Sequence, residues 1–301
     1  MALSAVLFAL MNLFARVATA SASWASVAAA RAAVGALVAL VVARVRGVSL
    51  APKDAGGVFC RSLLGTVSML ATFYALSSRT MSLGDTVTLL NLAPVFLAVL
   101  APFFLRERTS AAVAIAIGIA LGGVMLIVRP TFLFGADTTV TAVAPSGPSA
   151  TATAAVAVGA ALSTSIAMML LRRVGQKERP EAVAFHFSLF AAVALFAISL
   201  FDLRMPTLRD AACMVGAGLC AGFAQLAMTR AYALESAARV SGMSYLSVVA
   251  SAALGAILLG ERPGPTALVG MALVVLGGVL VTIRRSAVGA PSGSSALTSA
   301  Q

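Results

Sequence analysis

The chain has 301 residues, of which 60% are hydrophobic and only 10% are charged. Its mean hydropathy of +1.02 is typical of a protein whose solvent is lipid, which excludes an ordinary soluble domain. The net charge of +11 would suit a nucleic-acid-binding surface. However, the basic residues stand in short groups between apolar runs of about 20 residues, the length that crosses a bilayer. We therefore interpret the charge as a signal of membrane orientation and expect no nucleic-acid partner.

Ten apolar segments are predicted to cross the membrane as α-helices, because the bilayer core offers no water to unpaired backbone groups. Continuous rather than alternating apolarity argues against a membrane β-barrel. The predicted spans are residues 1–15, 24–43, 57–77, 84–105, 111–128, 152–171, 182–201, 211–233, 240–259 and 267–283. No basic region precedes the first span, which predicts a retained helix rather than a signal peptide. The fold class is therefore all-α and integral to the membrane.

Three short motifs occur twice, about 155 residues apart, which is too long for a solenoid repeat and indicates a duplicated half-protein. They are Tyr74-Ala75-Leu76 with Tyr232-Ala233-Leu234, Glu107-Arg108 with Glu261-Arg262, and Gly122-Gly123 with Gly277-Gly278. The predicted organisation is a first repeat over residues 1–129, a flexible linker over 130–151, a second repeat over 152–285 and a disordered tail over 286–301. Because each repeat has five spans, the second must enter the membrane from the opposite side, which predicts an inverted-topology repeat.

The orientation of the spans follows from the basic residues in the short loops. Lys and Arg are more frequent in the loops on the side of the N-terminus, and the segment 172–179 contributes most of this excess. This bias predicts a multi-pass protein of the inner (plasma) membrane with both termini in the cytoplasm.

Several segments resemble the EamA domain of the drug/metabolite transporter superfamily. They are Ser82-Leu83-Gly84-Asp85-Thr86, Leu92-Ala93-Pro94-Val95-Phe96 and Arg106-Glu107-Arg108 in the first half, and Ala231-Tyr232-Ala233-Leu234 and Leu259-Gly260-Glu261-Arg262 in the second. The resemblance covers nearly the whole chain except the linker and the tail. It implies ten helices, cytoplasmic termini and a central substrate cavity between helices of both halves. In the second half Val248 stands where the family pattern would repeat Pro94, so the resemblance supports a helix break only in the first half.

Two arginines lie within predicted spans. Arg31 is near the middle of the second span and Arg61 is a few residues into the third. A charged side chain in lipid costs at least about 2.5–3.5 kcal/mol, so such residues usually face the bundle interior or a wet cavity. For Arg61 the alternative is that the side chain extends to the cytoplasmic interface. If both face inward, they favour an anionic or zwitterionic substrate, such as one with a carboxylate or a phosphate.

Six other side chains are candidates for substrate contact: Asn12, Tyr74, Asn91, His186, Gln225 and Tyr245. Each has a structural alternative, either a hydrogen bond between helices or, for the tyrosines, a place in the interfacial aromatic belt. Asp and Glu are absent from the span centres, and Glu107 and Glu261 are expected to cap or pair locally. Cys60, Cys213 and Cys220 form no CxxC pair. We therefore predict no catalytic residues, no metal site and no cofactor.

These patterns predict a transporter that moves a small organic metabolite by alternating access. The segment Phe185-His186-Phe187-Ser188-Leu189-Phe190, together with Arg31 and Arg61, resembles family members that handle S-adenosylmethionine, riboflavin or amino acids. The main alternative is a non-transporting membrane scaffold or sensor, in which the polar residues would pack together without a cavity. A membrane enzyme would need a catalytic cluster that the sequence lacks. The direction of transport, the coupling and the oligomeric state stay open.

Overall fold

The computed structural model describes residues 1–19, 21–77, 83–107, 110–128, 130–134, 150–201, 206–258 and 264–283. All regular secondary structure in these residues is helical. The helices are α1 (Ala2–Ala18), α2 (Trp24–Val45), α3 (Ala55–Ser77), α4 (Leu83–Leu90), α5 (Ala93–Phe104), α6 (Ala111–Val128), α7 (Thr131–Phe134), α8 (Ala150–Gly175), α9 (Pro180–Ser199), α10 (Leu208–Leu234), α11 (Ala237–Gly242), α12 (Leu246–Leu258) and α13 (Pro265–Ile283), with a 3₁₀ turn at Met243–Tyr245.

Eight helical segments in the described part of the chain are long and apolar enough to cross a membrane, judged by length and composition. Two further apolar helices, Ala2–Ala15 and Pro265–Leu280, are shorter. Many large apolar side chains on the outside of the bundle are exposed, such as Phe201 at 92% and Ile257 at 77%. Apolar exposure on this scale is expected of a surface that faces lipid. The protein is therefore built as an integral membrane protein, although eight rather than ten helices meet the length criterion.

Local signals in the sequence explain several helix ends. Ser23 caps α2 by accepting a hydrogen bond from the backbone N–H of Ser26 at 3.2 Å. The same helix ends at Val45, and Gly47, two residues later, has a φ of 62°, in the left-handed region that favours glycine. At α10, Thr207 and Asp210 form a reciprocal capping box. The start of α10 is thereby fixed close to the predicted boundary.

The predicted linker is partly helical. Residues 131–134 form the short helix α7, and α8 begins at Ala150 rather than at residue 152. The rest of the linker and the predicted disordered tail lie outside the described residues.

Two of the predicted spans are interrupted, one in each half. The span 84–105 consists of α4 and α5, which are separated at Asn91 and Leu92. Pro94 lies in the first turn of α5 and has no N–H, so it cannot donate to the carbonyl of Leu90. The span 240–259 is interrupted at the turn Met243–Tyr245 without any proline. The second half therefore has the break that the sequence supported only in the first.

The two interruptions meet inside the bundle. The Tyr245 hydroxyl donates a hydrogen bond to the backbone carbonyl of Asn91 at 2.7 Å. A carbonyl at a helix interruption needs a partner in a low-dielectric interior, and this hydroxyl supplies it. The interruption in one half is thus stabilised by a side chain from the interruption in the other.

Helices α6 and α13, which occupy corresponding places in the two halves, pack closely together. A Cβ added at Gly123 would lie 2.5 Å from the carbonyl oxygen of Gly270, and one added at Gly277 would lie 2.7 Å from that of Ala116. Later positions on one helix therefore meet earlier positions on the other. The two helices run antiparallel, and the glycines allow their backbones to touch.

The corresponding helices α2 and α9 are also antiparallel. Arg46, just after α2, forms a 2.9 Å ion pair with Glu181 at the start of α9. Further back along α2, Gly35 faces the hydroxyl of Ser188 in α9. The order of contacts is again reversed between the two helices.

The other large contacts join α1 to α10 and α3 to α8. In the sequence repeat, α1 corresponds to α8 and α3 corresponds to α10. The packing of α1 on α10 is therefore the counterpart of the packing of α8 on α3. Ser4 donates to the carbonyl of Ala224 at 2.9 Å, and Ser21 donates to Asp210 at 2.8 Å, which makes α1 and α10 antiparallel. The three helices of each half that surround the centre of the bundle therefore pack mainly on helices of the other half.

Candidate functional site

A cavity of about 430 Å³ lies between α1, α2 and α3 of the first half and α8, α9 and α10 of the second. Most of its wall is apolar. The polar side chains on it are Asn12, Arg31, Arg61, Ser68, Thr72, Thr164, Ser188 and Gln225. Among the described residues, the cavity has two guanidinium groups and no carboxylate. Its electrostatic character is therefore positive.

Arg61 is enclosed within the bundle, with 1% of its surface exposed. Its Cζ lies 4.3 Å from the centre of the Phe187 ring, a cation–π contact. Its Nε and Nη1 atoms have no hydrogen-bond partner in the described part of the chain. The side chain therefore does not extend to the membrane interface, the alternative that the sequence left open. A buried guanidinium without a counter-charge is unfavourable unless a ligand completes the site.

Gly65 provides the space that the Arg61 guanidinium occupies. The two residues are one helical turn apart on α3, and a Cβ added at Gly65 would collide with Nη1 of Arg61. The same Cβ would lie 2.8 Å from Cε2 of Phe187. Gly65 thus lets the guanidinium lie between α3 and the aromatic ring of α9.

Arg31 contacts uncharged, polarisable partners on two other helices, α1 and α3. It donates from Nη1 to the sulfur of Met11 at 3.0 Å and from Nη2 to the sulfur of Met69 at 2.8 Å. Its Cζ lies 5.9 Å from the centre of the Phe73 ring, which stacks on Trp24 with centroids 5.5 Å apart. A thioether is a weak acceptor and carries no charge. The charge of Arg31 is therefore held in place but is not neutralised by these contacts.

Gln225 and Asn12 bring amide groups from the two halves to the same cavity. Gln225 has 6% of its surface exposed, and its Nε2 has no hydrogen-bond partner in the described residues. Asn12 is exposed where it lines the cavity. An amide offers both donors and an acceptor, so both residues can bind a polar ligand.

Four of the eight predicted site residues lie in the cavity, and the other four lie elsewhere. His186 faces a separate apolar groove, with its Nδ1 2.8 Å from the carbonyl oxygen of Ala182. Tyr74 is on the outside of α3 and is 46% exposed. Asn91 and Tyr245 form the buried contact between the two helix interruptions. The cavity therefore does not include these four side chains.

Phe187, Gly65 and Phe73 contribute to the cavity although none of them was among the predicted site residues; Phe187 was named only as part of the segment 185–190. Apolar residues that line a cavity have the same sequence pattern as residues of a packed core, so periodicity does not separate them. One signal was available, because Phe187 directly follows His186. Neighbouring residues on a helix differ in direction by about 100°, which is enough to turn one side chain into the groove and the next into the cavity.

Glu107 joins the two halves at one end of the bundle. Its Oε1 accepts from Nε of Arg172 at 2.8 Å, and its Oε2 accepts from the backbone N–H of Ala237 at the start of α11 at 2.9 Å. Arg172 also donates from Nη1 to the carbonyls of Tyr232 and Ala233 at the end of α10, each at 2.9 Å. Glu107 therefore caps a helix, as expected, but the prediction of local pairing is wrong because both partners belong to the second half. Glu261, its counterpart, lies outside the described residues.

Other contacts between the halves lie at the same end of the bundle. Arg46 pairs with Glu181, and the backbone N–H of Asp54 donates to Glu178 at 2.5 Å. We call this end the closed face, defined by the ends of α2, α5, α8 and α10 and the starts of α3, α9 and α11. Tyr232, near the closed face, is 2% exposed, whereas its repeat counterpart Tyr74, near the end of α3 at the opposite face, is 46% exposed. The two copies of the repeat are therefore not in equivalent surroundings.

Comparison with known proteins connects this arrangement to a family. A family model described as the EamA-like transporter family matches residues 1–129 and 151–283. The pseudopaline exporter CntI of Pseudomonas aeruginosa is 25% identical over 282 residues, which cover 93% of this chain and 91% of that protein. Solute carrier family 35 member G1 of Homo sapiens is 28% identical over 75% of this chain and 61% of that protein. The riboflavin transporter of Vibrio cholerae is 22% identical over 91% and 89% of the two chains. These relatives are named as transporters and not as enzymes.

The fold also has a counterpart among solved structures. One crystal structure aligns over 96% of this chain and 97% of its own chain with a TM-score of 0.79 and 19% sequence identity. At that identity the likeness concerns the fold alone.

Proposed function

Because the chain belongs to the EamA-like transporter family of the drug/metabolite transporter superfamily, we propose that it moves a small organic metabolite with negative charge across the inner membrane by alternating access. The observation that carries this proposal is Arg61, a buried guanidinium at the wall of a central cavity whose Nε and Nη1 have no hydrogen-bond partner in the part of the chain that the structure describes. A negatively charged group of the substrate would neutralise it and accept its hydrogen bonds. Pseudopaline and riboflavin appear in the names of two relatives, and those names concern those two proteins.

The proposed architecture is ten spans in two inverted repeats, with both termini in the cytoplasm. The short apolar helices α1 and α13 would supply the two spans beyond the eight that meet the length criterion. The antiparallel packing of α6 on α13 and of α2 on α9 supports the inversion, because corresponding helices related by an axis in the membrane plane must run in opposite directions. The basic loops support this orientation, in which the closed face would lie on the cytoplasmic side.

In alternating access, the two halves would switch between a state in which the closed face is shut and a state in which the opposite face is shut. The contacts of Glu107, Arg46 and Asp54 with the second half hold the closed face together. In the opposite state these contacts would separate and the other face would close. The unequal exposure of Tyr74 and Tyr232 supports this view, since the two copies would exchange surroundings.

A scaffold or sensor is the alternative from another functional class. It predicts that Arg31 and Arg61 are neutralised by protein contacts and that no cavity separates the halves. The partners that the structure provides are two thioethers and two aromatic rings, none of which carries a charge. The cavity of about 430 Å³ therefore favours transport.

The test is uptake of labelled metabolites by proteoliposomes that contain the purified chain. For each compound that is transported, Arg31→Ala and Arg61→Ala should lower the initial rate at least about tenfold, because each removes charge-assisted hydrogen bonds. Arg44→Ala is the matched control, since Arg44 is exposed near the end of α2 and is not part of the cavity wall. Uptake that is unchanged in both cavity variants would refute the assignment of the cavity.

A further inference from the structure

We propose that the ligand of the cavity is an elongated dianion, with one acidic group bound at Arg61 and the other at Arg31. This inference rests on the proposed transport function and specifies its substrate class. It excludes zwitterions such as amino acids, which the sequence left open.

The first argument is the charge balance of the cavity. Two guanidinium groups line it, and the described lining residues include no Asp or Glu. A monoanion would leave one guanidinium without a counter-charge in a low-dielectric interior, which is unfavourable. A zwitterion would in addition bring an ammonium group for which this wall has no carboxylate. A dianion is the class that neutralises both arginines.

The second argument is the spacing of the two guanidinium groups along α3. The Arg61 guanidinium lies at the level of Gly65, because Nη1 would collide with a Cβ at that position. The Arg31 guanidinium lies between the levels of Met69 and Phe73, which it contacts. These levels are four and eight residues beyond Gly65, which corresponds to about 6–12 Å at a rise of 1.5 Å per residue. The two acidic groups must therefore be separated by a chain of several atoms.

The third argument is the availability of hydrogen-bond donors at both ends. At the Arg61 end, Nε and Nη1 of Arg61 have no partners among the described residues, and Nε2 of Gln225 on the cavity wall has none either. At the other end, the acceptors of Arg31 among the described residues are two thioethers, and a carboxylate is a much stronger acceptor than a thioether. Between the ends the wall of α3 carries the hydroxyls of Ser68 and Thr72, and Ala191 is among the apolar lining residues. This arrangement suits two carboxylates joined by a short uncharged chain.

The test is a binding series with linear dicarboxylates on the purified full-length chain in detergent. The probes are succinate, glutarate, adipate, suberate and sebacate. The comparison compounds are hexanoate as the monoanion, adipamide as the neutral analogue of adipate, and glutamate as the analogue of glutarate that also carries an ammonium group. Binding is read from the rise in melting temperature with ligand concentration. It is also read from the fluorescence of Trp24, the one tryptophan of the chain, which stacks on the cavity residue Phe73. We expect adipate and suberate to bind at least about tenfold more tightly than hexanoate, since each binds a second guanidinium.

Variants connect the two ends of the probe to the two arginines. Arg31→Gln and Arg61→Gln should each lower the affinity for adipate to that for hexanoate, whereas Arg44→Gln should leave it unchanged. Arg31→Lys and Arg61→Lys keep the charge and should retain part of the adipate affinity. They provide the test at a position whose glutamine variant does not fold.

Three results would overturn the inference: equal binding of hexanoate and adipate, tighter binding of glutamate than of glutarate, or binding of no probe by the folded chain. The outcome is separable from that of the proposed function. Uptake of a neutral or cationic compound without dicarboxylate binding would remove the ligand class and leave transport standing. Dicarboxylate binding without uptake of any compound would refute the transport function and leave the ligand class standing.

Discussion

Gly65 controls the position of the charged group on which the proposed site depends. An added Cβ would displace the Arg61 guanidinium from the space beside Phe187, because that space is already filled. We expect Gly65→Ala to reduce substrate uptake at least about tenfold, in line with the loss of a charge-assisted contact. Initial uptake rates in proteoliposomes measure this effect.

Gly118→Ala is the matched control, because a Cβ added there would lie more than 4 Å from every described atom outside the adjoining backbone of α6. It should leave uptake unchanged and stabilise α6 by up to about 1 kcal/mol, the usual difference between Ala and Gly within a helix. Equal uptake in the two variants would show that the position of Arg61 does not matter.

At the same scale, a charged residue within an apolar span is the sequence signal that leads to the cavity. Arg31 and Arg61 stand out because lipid penalises a guanidinium, and both lie at the cavity. His186 and Tyr245 also stand out as polar, but one lies in an outer groove and the other stabilises a helix interruption. Polarity within a span predicts that a residue avoids lipid. It does not tell a cavity from a contact between helices, since both satisfy a polar group.

Among the elements, the junction at Glu107 holds the closed face together. Glu107→Gln removes the charge that binds Arg172 and weakens the cap of α11. We expect the free energy of unfolding to fall by about 1–3 kcal/mol, because Arg172 is mostly buried and would lose its charged partner. Thermal unfolding of the purified protein measures this change. Glu235→Gln is the control, since its pair with Arg239 within one helical turn is worth at most about 0.5 kcal/mol.

The same substitution should loosen the closed face. In a cysteine-free chain that carries Met228→Cys in the cavity, Glu107→Gln should increase labelling by a membrane-impermeant maleimide added from the cytoplasmic side. Labelling that does not change would mean that this junction does not close the cavity.

The helix interruptions show what the sequence conveys about elements. Pro94 predicts the interruption before α5, because proline removes a backbone donor. The interruption before α12 has no comparable signal, since Val248 stands at the corresponding place. It becomes understandable only in three dimensions, where Tyr245 reaches the carbonyl of Asn91 from the other half. A contact between residues 154 positions apart is not visible in local sequence.

For the whole molecule, the repeated motifs and the long apolar runs were sufficient to predict an all-helical membrane protein built from two related halves. The family match covers both halves. The packing of α6 on α13 and of α2 on α9 joins helices at corresponding places in the two halves. The cavity between the halves could not be placed from sequence, because its wall is made mostly of apolar residues that look like core. The inverted topology remains a prediction.

The orientation of equivalent loops tests that prediction most directly. Ser110 and Gly264 directly precede α6 and α13, and both are exposed. With Cys60, Cys213 and Cys220 replaced by alanine, Ser110→Cys and Gly264→Cys are labelled one at a time with an impermeant maleimide in intact cells and in inverted membrane vesicles. An inverted repeat predicts that the cysteine at position 264 reacts in intact cells and the cysteine at position 110 only in inverted vesicles. Labelling of both from the same side would contradict it.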